Sequence, residues 1–262
     1  MTLMRTVITF LILFVCSGQL LSAQQDTTEQ YSDTLQNTTL KKSFWRQIPY
    51  KEIAIPAGLL TYGIISRESH FLIHQDNDIN NVLRKNIDRK FTIDDFSQYT
   101  PLLSIYVLDL AGIKARHNLK ERLFVSGVSY AIMATTVYTI KSTGNVWRPD
   151  NSANNSFPSG HAATAFAGAE LLWQEYKDQS IWYGIAGYTV AAGTGFFRMY
   201  NNKHWFSDVV MGAGIGMLST KIGYWLLPLV DRHLQHNPSS SVTVVTPFYN
   251  GKQAGLSASV QF

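Results

Sequence analysis

Cysteine is almost missing from this 262-residue chain: the one it has, Cys16, lies in an apolar N-terminal stretch with no convincing lipid-attachment context. Disulfides and cysteine catalysis are therefore excluded for the chain beyond that stretch. Lys and Arg are scattered without a run of five, and the formal charge is only +4 with a pI near 9.0. No nucleic-acid footprint is indicated, while anionic membrane surfaces and phosphorylated substrates remain compatible. There is no internal repeat. What the chain does have is 45% apolar residues, enough for one sizeable core, so a single catalytic domain is the default.

The first residues, MTLMRTVITFLILFVCSGQLLSAQQ, have one positive charge at Arg5, an apolar run and small residues at Ser22-Ala23. This layout predicts a secretory signal peptide over 1–23, with an uncleaved anchor as the alternative, and an exported protein, periplasmic or associated with an envelope membrane. Residues 24–48 are polar and without apolar periodicity, a leader segment. From there to residue 236 apolar blocks alternate with polar loops. Ile53 to Ser66, Leu123 to Ile140 and Ile181 to Phe197 carry no formal charge, and Val209 to Val230 carries only Lys221. The expected fold is all-α, a bundle of about six core helices. A run such as Leu123 to Ile140 fits both a membrane span and a buried helix of a soluble bundle. Residues 237–262 differ: β-branched residues flank Asn250-Gly251, which predicts a C-terminal β-hairpin with a two-residue turn and Val245 opposite Leu256. That hairpin suits packing on the bundle or on another copy; an outer-membrane-directed tail is the sharper alternative.

The chemistry-bearing residues fall in three clusters. The first holds Lys141, Arg148 and Pro149, the second is Pro158-Ser159-Gly160-His161, and the third holds Arg198, His204 and Asp208. Three cations converging on one place need an anion. Arg148 and Arg198 offer planar forks for phosphate oxygens and Lys141 a compact charge. A helix beginning near Ser159 would add unpaired N–H groups and a positive dipole end, with Gly160 admitting a ligand close to the backbone. His161 would then stand beside the anion, placed to protonate a departing oxygen. His204 and Asp208 are four apart, so on a helix they share a face; the carboxylate would fix one ring nitrogen and leave the other free to attack. Taken singly, each cluster also has a plainer reading: a helix-capping turn, interfacial anchors, a structural His–Asp pair or half a metal site. Together, two histidines, one carboxylate and three cations are too positive for a metal cage and suit a trianion.

With these residues the chain resembles the phosphatidic acid phosphatase type 2 superfamily, which includes bacterial non-specific acid phosphatases and vanadium haloperoxidases. Its signature reads Lys, six residues, Arg-Pro; then Pro-Ser-Gly-His; then Ser-Arg, five residues, His, three residues, Asp. Lys141, Arg148 and Pro149, residues 158 to 161, and Arg198, His204 and Asp208 match. Phe197 stands where the family usually has Ser, and the Asp150 to Phe157 loop is shorter than in many members. The resemblance spans roughly residues 50 to 230 and is specific over 141 to 208.

The resemblance implies a metal-independent, cofactor-free displacement in two steps. His204 attacks phosphorus to form a phosphohistidine, Asp208 supports its ring, and His161 protonates the leaving alcohol and then activates water. Lys141, Arg148, Ser159, Gly160 and Arg198 hold the phosphate oxygens, where charge stabilisation of the transition state is most effective. The implied substrate is a phosphomonoester or diphosphate of a lipid: phosphatidate-like, polyprenyl diphosphate or lipid A phosphate. A vanadium haloperoxidase and an inactive envelope protein keeping the fold are the alternatives. Nothing in the sequence reads the leaving group or the oligomeric state.

Overall fold

Helix starts in this chain are written in side chains. Asn118 accepts from the Glu121 N–H at 2.9 Å while Glu121 accepts from the Asn118 N–H at 3.1 Å, a reciprocal cap that opens a 25-residue helix. Ser180 accepts from the Trp182 N–H and Ser159 from the Ala162 N–H, each opening a further helix. The computed structural model describes residues 50–85, 91–235, 242–249 and 254–261. Among them the chain forms α1 (Tyr50–Ile65), α2 (His70–Lys85), α3 (Ile93–Ser97), α4 (Thr100–Leu110), α5 (Leu119–Thr143), α6 (Gly160–Tyr176), α7 (Ile181–Tyr200), α8 (Phe206–Gln235) and strands β1 (Val242–Tyr249) and β2 (Ala254–Gln261). The expected signal segment, the leader and the Asn250-Gly251 turn lie outside the described residues.

The helical architecture is the one the sequence predicts, with eight helices described in place of about six. The three uncharged blocks became α1, α5 and α7, and the block with only Lys221 became α8. The Ala-rich stretch after Pro158 became α6. The additional helices are α2, α3 and α4. In α2 the apolar residues are interrupted by Asp76, Asp78, Arg84 and Lys85, and α3 is five residues long, so neither stands out as an apolar block. By length and composition, α5 and the Phe206–Val230 part of α8 are able to cross a membrane.

The described residues divide into two units, up to Trp225 and from Leu226 onward. In the first, α6 is the most enclosed helix, with Ala162, Ala163, Ala165, Ala167 and Ala169 fully buried. Small residues let its neighbours approach backbone to backbone. A Cβ on Gly212 of α8 would lie 2.4 Å from the Ser159 carbonyl oxygen, and one on Gly216 only 2.2 Å from that of Ala163. Gly212 and Gly216 face Ala163 and Ala167 at the same four-residue spacing, the small-residue contact that brings helices closest. The consequence is positional, because the first turns of α6 and α8 are locked side by side. Met133, Val137, Ile140, Val146, Phe157, Ala163, Met211 and Ile215 form the apolar floor beneath them. Farther along α6, buried Glu170 pairs with Lys221 at 2.6 Å and buried Glu175 with His117 at 2.9 Å, so these interior charges are compensated.

In the second unit β1 and β2 pair antiparallel, with Val245 opposite Ala258 and Pro247 opposite Leu256. This corrects the predicted pairing of Val245 with Leu256. The described strands end at Tyr249 and resume at Ala254, and a shift of register moves every pair along with it.

Candidate active site

The five-residue spacer between Arg198 and His204 is a helix-ending motif. The Asn202 N–H bonds the Met199 carbonyl at 2.9 Å and the Lys203 N–H bonds that of Arg198 at 3.0 Å. Asn202 takes a positive φ of 60°. This is the double bond pattern that closes a helix around one left-handed residue, a role Asn fills when Gly is absent. The reversal brings the His204 N–H back to the Arg198 carbonyl at 3.3 Å. Side-chain bonds hold it there, because Asn80 of α2 donates to Asn202 Oδ1 at 2.6 Å.

His204 itself precedes α8, and Asp208 lies in that helix's first turn, so the two do not share a helix face as the spacing suggested. Asp208 instead folds back over the helix start. Its Oδ2 accepts from the Trp205 N–H at 2.9 Å and lies 3.4 Å from His204 Nδ1, the reach-back of an acidic third residue toward a helix cap. The same oxygen accepts from the Ser156 hydroxyl, whose Oγ is 3.3 Å from His204 Nδ1. Both side chains are buried, at 2% and 0% exposure. Burial drives the His204 pKa down to about 4, against the opposing pull of Asp208, with Arg198 and Lys141 adding to the depression. The ring is therefore neutral at neutral pH, with Nδ1 facing Asp208. A second carboxylate completes the turn: buried Asp76 of α2 accepts from the Ser207 N–H at 3.0 Å and from its hydroxyl. Two carboxylates thus satisfy the exposed N–H groups where α8 starts.

Across from His204, Ser159 caps α6 and donates its own N–H to the Asp208 carbonyl at 2.9 Å. The N–H groups of Gly160 and His161 in that first turn have no carbonyl four residues back. A Cβ on Gly160 would meet only Val137 Cγ1 at 3.9 Å, so the protein's own packing leaves room for one. Lys141, near the end of α5, donates to the Asn155 carbonyl at 2.5 Å and lies 3.4 Å from that of Ser156, tying down the loop before Pro158. It feels the charges of Asp208, Arg148 and Arg198. The guanidinium Nε atoms of Arg148 and Arg198 are buried without a partner among the described residues. Orphaned buried donors are costly, and two of them on arginines whose charges both reach Lys141 suit an oxyanion. All eight residues singled out in the sequence thus belong to one neighbourhood.

The charge reading needs correcting. In place of one carboxylate, α3 brings two more. Asp94, 1% exposed, accepts from Arg198 Nη1 at 2.6 Å and from Asn201 Nδ2 at 2.9 Å; Asp95 Oδ1 lies 3.0 Å from His161 Nε2 and 3.7 Å from Arg198 Nη1. Donor atoms of Asp94, Asp95 and His161 all lie within 4.8 Å of one another, a grouping able to hold a cation. The Arg198 guanidinium already stands among them, and a metal ion would meet its charge directly.

Sequence reasoning missed Ser156, Asp76, Asp94, Asp95 and Asn201. Ser156 lies three residues before Ser159 in a turn-rich stretch where serines are ordinary. The others sit 66 to 131 residues from the groups they touch, and no local spacing signals such pairs. Phe197 turns into an aromatic cluster with Phe91 and Tyr200, at ring distances of 6.4 and 6.0 Å, and puts no polar group in place of the hydroxyl the family usually has there.

Comparison with known proteins matches residues 122–231 to the PAP2 superfamily. The chain is 44% identical over 141 residues to a protein of Porphyromonas gingivalis named lipid A 1-phosphatase, an alignment covering 53% of this chain and 32% of that protein. The chain thus matches about a third of the length of this relative. Among solved structures it is similar to Aquifex aeolicus LpxE, at 23% identity and a TM-score of 0.42, over 58% of this chain and 93% of that one. It is also similar to a Bacillus subtilis transmembrane PAP2-type phosphatidylglycerolphosphate phosphatase, at 18% identity and 0.45, over 70% and 98%.

Proposed function

With residues 122–231 matching the PAP2 superfamily, we propose that the chain is a phosphatase that removes a phosphate group from a lipid at a membrane surface. The observation that carries this reading is the buried His204–Asp208 pair set against the first turn of α6, with His161 and two unpartnered arginine Nε donors around it. In the proposed reaction neutral His204 attacks phosphorus through Nε2, its Nδ1 proton held by Asp208. The P–N bond forms as the bond to the leaving oxygen breaks, and His161 gives that oxygen a proton. Water then attacks the phosphohistidine, His161 takes a water proton, and the P–N bond breaks to release phosphate and regenerate His204. Lys141, Arg148, Arg198 and the N–H groups at Gly160 and His161 hold the oxygens throughout.

Within lipids, the 44% identity to the lipid A 1-phosphatase over 141 residues favours a lipid A phosphate over a phosphatidate-like one. Exposed Phe71, Phe96, Tyr138, Trp147 and Trp182 suit contact with a membrane, since aromatic side chains settle at the lipid–water boundary. The test is phosphate release by the purified full chain from lipid A, phosphatidate, a polyprenyl diphosphate and soluble sugar phosphates. Turnover of lipid A at least tenfold above the others supports the reading. Preference for a soluble phosphate, or turnover of none, overturns it.

A further inference from the structure

Asp95 is a charged group in contact with the site to which neither the motif nor the proposed reaction gives a task. It belongs to α3, whose position is fixed by its neighbour: Asp94 is buried and held by both Arg198 and Asn201. Asn201 also brackets the start of this segment, accepting from the Phe91 N–H at 3.0 Å and donating to the Phe91 carbonyl at 2.5 Å. Asp94 and Asn201 thus anchor α3, and Asp95 is held out beside the active-site mouth, its side chain 54% exposed.

We propose that Asp95 is a positioning residue for His161, its Oδ1 holding the imidazole by Nε2 at 3.0 Å so that Nδ1 is the nitrogen meeting the substrate's leaving oxygen. This rests on the general-acid role given to His161 above. The proton accounting closes. Imidazolium carries a proton on each nitrogen; the Nδ1 proton goes to the leaving oxygen as the P–O bond breaks, and the Nε2 proton stays on the ring, bonded to the Asp95 carboxylate. In the second step Nδ1 takes the proton from water. A carboxylate on the far nitrogen fixes the tautomer and favours the charged ring, as in other His–carboxylate pairs.

Electrostatics supports the geometry. Burial and then Arg198 push the His161 pKa below its ordinary value, while Asp95 and Asp94 oppose them. Lys141 from α5 and Asp208 from α8 bear on His204 instead, and Asp109 of α4 is paired with Arg122. Among the charged groups of the described residues around this ring, Asp95 is the one hydrogen-bonded to it, so its removal leaves a general acid that loses its proton at lower pH.

The experiment compares the wild-type full chain, Asp95→Asn, His161→Ala and the double variant on hexyl phosphate, a poor leaving group, and on para-nitrophenyl phosphate, a good one. Asp95→Asn is expected to lower kcat on hexyl phosphate by roughly tenfold to a hundredfold, with little change on the nitrophenyl ester. The basic limb of its pH profile on hexyl phosphate moves to lower pH. An NMR titration of the His161 ring shows the same displacement, and vanadate binding stays within about threefold, certifying a folded site. The double variant is no slower on hexyl phosphate than His161→Ala, as for two residues acting through one step. If His161→Ala slows both substrates equally, the general-acid reading falls and Asp95 falls with it. If His161→Ala discriminates between them but Asp95→Asn keeps the wild-type profile, Asp95 alone is refuted. Vanadate binding more than tenfold tighter in Asp95→Asn, without a leaving-group effect, would make Asp95 a charge that competes with phosphate and also overturn the proposal.

Discussion

Replacing Asp208 by Asn removes one charge from a buried pair and little else. In the proposed reaction the His204 ring gains positive charge as it bonds to phosphorus, and the carboxylate oxygen 3.4 Å from Nδ1 is placed to stabilise that charge. With an effective dielectric constant of about 20, a full unit charge at this separation interacts by about 5 kcal/mol. The Trp205 N–H and the Ser156 hydroxyl already draw on the same oxygen, so the usable part is about 3–5 kcal/mol, or roughly two to four orders of magnitude in rate. The Asn carbonyl can still accept from Trp205 and Ser156, and its NH2 falls where Asp208 Oδ1 is buried without a partner, so the fold should survive. Vanadate binding checks that it does. The assay is single-turnover transfer from radiolabelled substrate, quenched in alkali because the phosphohistidine bond is lost in acid. The wild type should show label on His204, His204→Ala none, and Asp208→Asn the same label formed at least a hundredfold more slowly. Label formation in Asp208→Asn within tenfold of wild type would refute the electrostatic argument, and wild-type label on another residue would refute the nucleophile.

Phosphatase activity is expected to persist in excess EDTA and to be inhibited by vanadate, because Arg198 stands among the carboxylates a metal ion would use; loss in EDTA restored by zinc or magnesium would contradict this. Gly160→Ala should leave thermal stability equal or slightly higher, since its Cβ meets only Val137 at 3.9 Å and Ala suits a helix better than Gly, yet weaken vanadate binding and raise KM by crowding the oxyanion; unchanged binding would show that the phosphate does not approach that backbone. The His204 pKa of about 4, against 6.5 in the unfolded chain, means that the unfolded state takes up more protons between those values. The stability linked to a neutral His204 is complete above about pH 6.5 and lost as pH falls toward 4. Denaturant unfolding at pH 7 and pH 5 should therefore show about 2 kcal/mol more pH dependence in wild type than in His204→Gln, and equal dependence would place His204 in a more solvated setting.

The elements legible in the sequence were those with a local cause. The helix start read near Ser159 is the cap of α6, while the apolar blocks gave the long helices. The third cluster was legible for a reason the spacing alone hides. Five residues between Arg198 and His204 are what one helix-ending reversal through Asn202 requires, and three residues between His204 and Asp208 let the acid reach back over the next helix start. Fixed spacing in the motif is thus backbone geometry. Helix α2 escaped because its buried face includes Asp76 and Asn80, polar residues that a hydrophobic pattern assigns to solvent. Its two buried polar groups hold Ser207 and Asn202, so the helix least visible in the sequence steadies both ends of the loop that carries His204.

Residues 94 and 95 change how the site's electrostatics must be argued. Lys141, Arg148 and Arg198 share the site with Asp76, Asp94, Asp95 and Asp208, three cations and four carboxylates, where the motif alone counted one acid. Phosphate affinity then cannot come from an excess of positive charge. It has to come from direction: the unpartnered Arg148 and Arg198 Nε donors, the N–H groups at the start of α6, and a helix dipole that favours an anion there. Directional donors discriminate between geometries, whereas net charge attracts any anion alike. In the proposed reaction this favours the trigonal-bipyramidal arrangement of transfer, whose equatorial oxygens fit fixed donors, over free phosphate, whose release the nearby carboxylates assist by repulsion. Asp94 and Asp95 therefore count in the site's electrostatics as the cations do, the first by its bond to Arg198 and the second by its contact with His161.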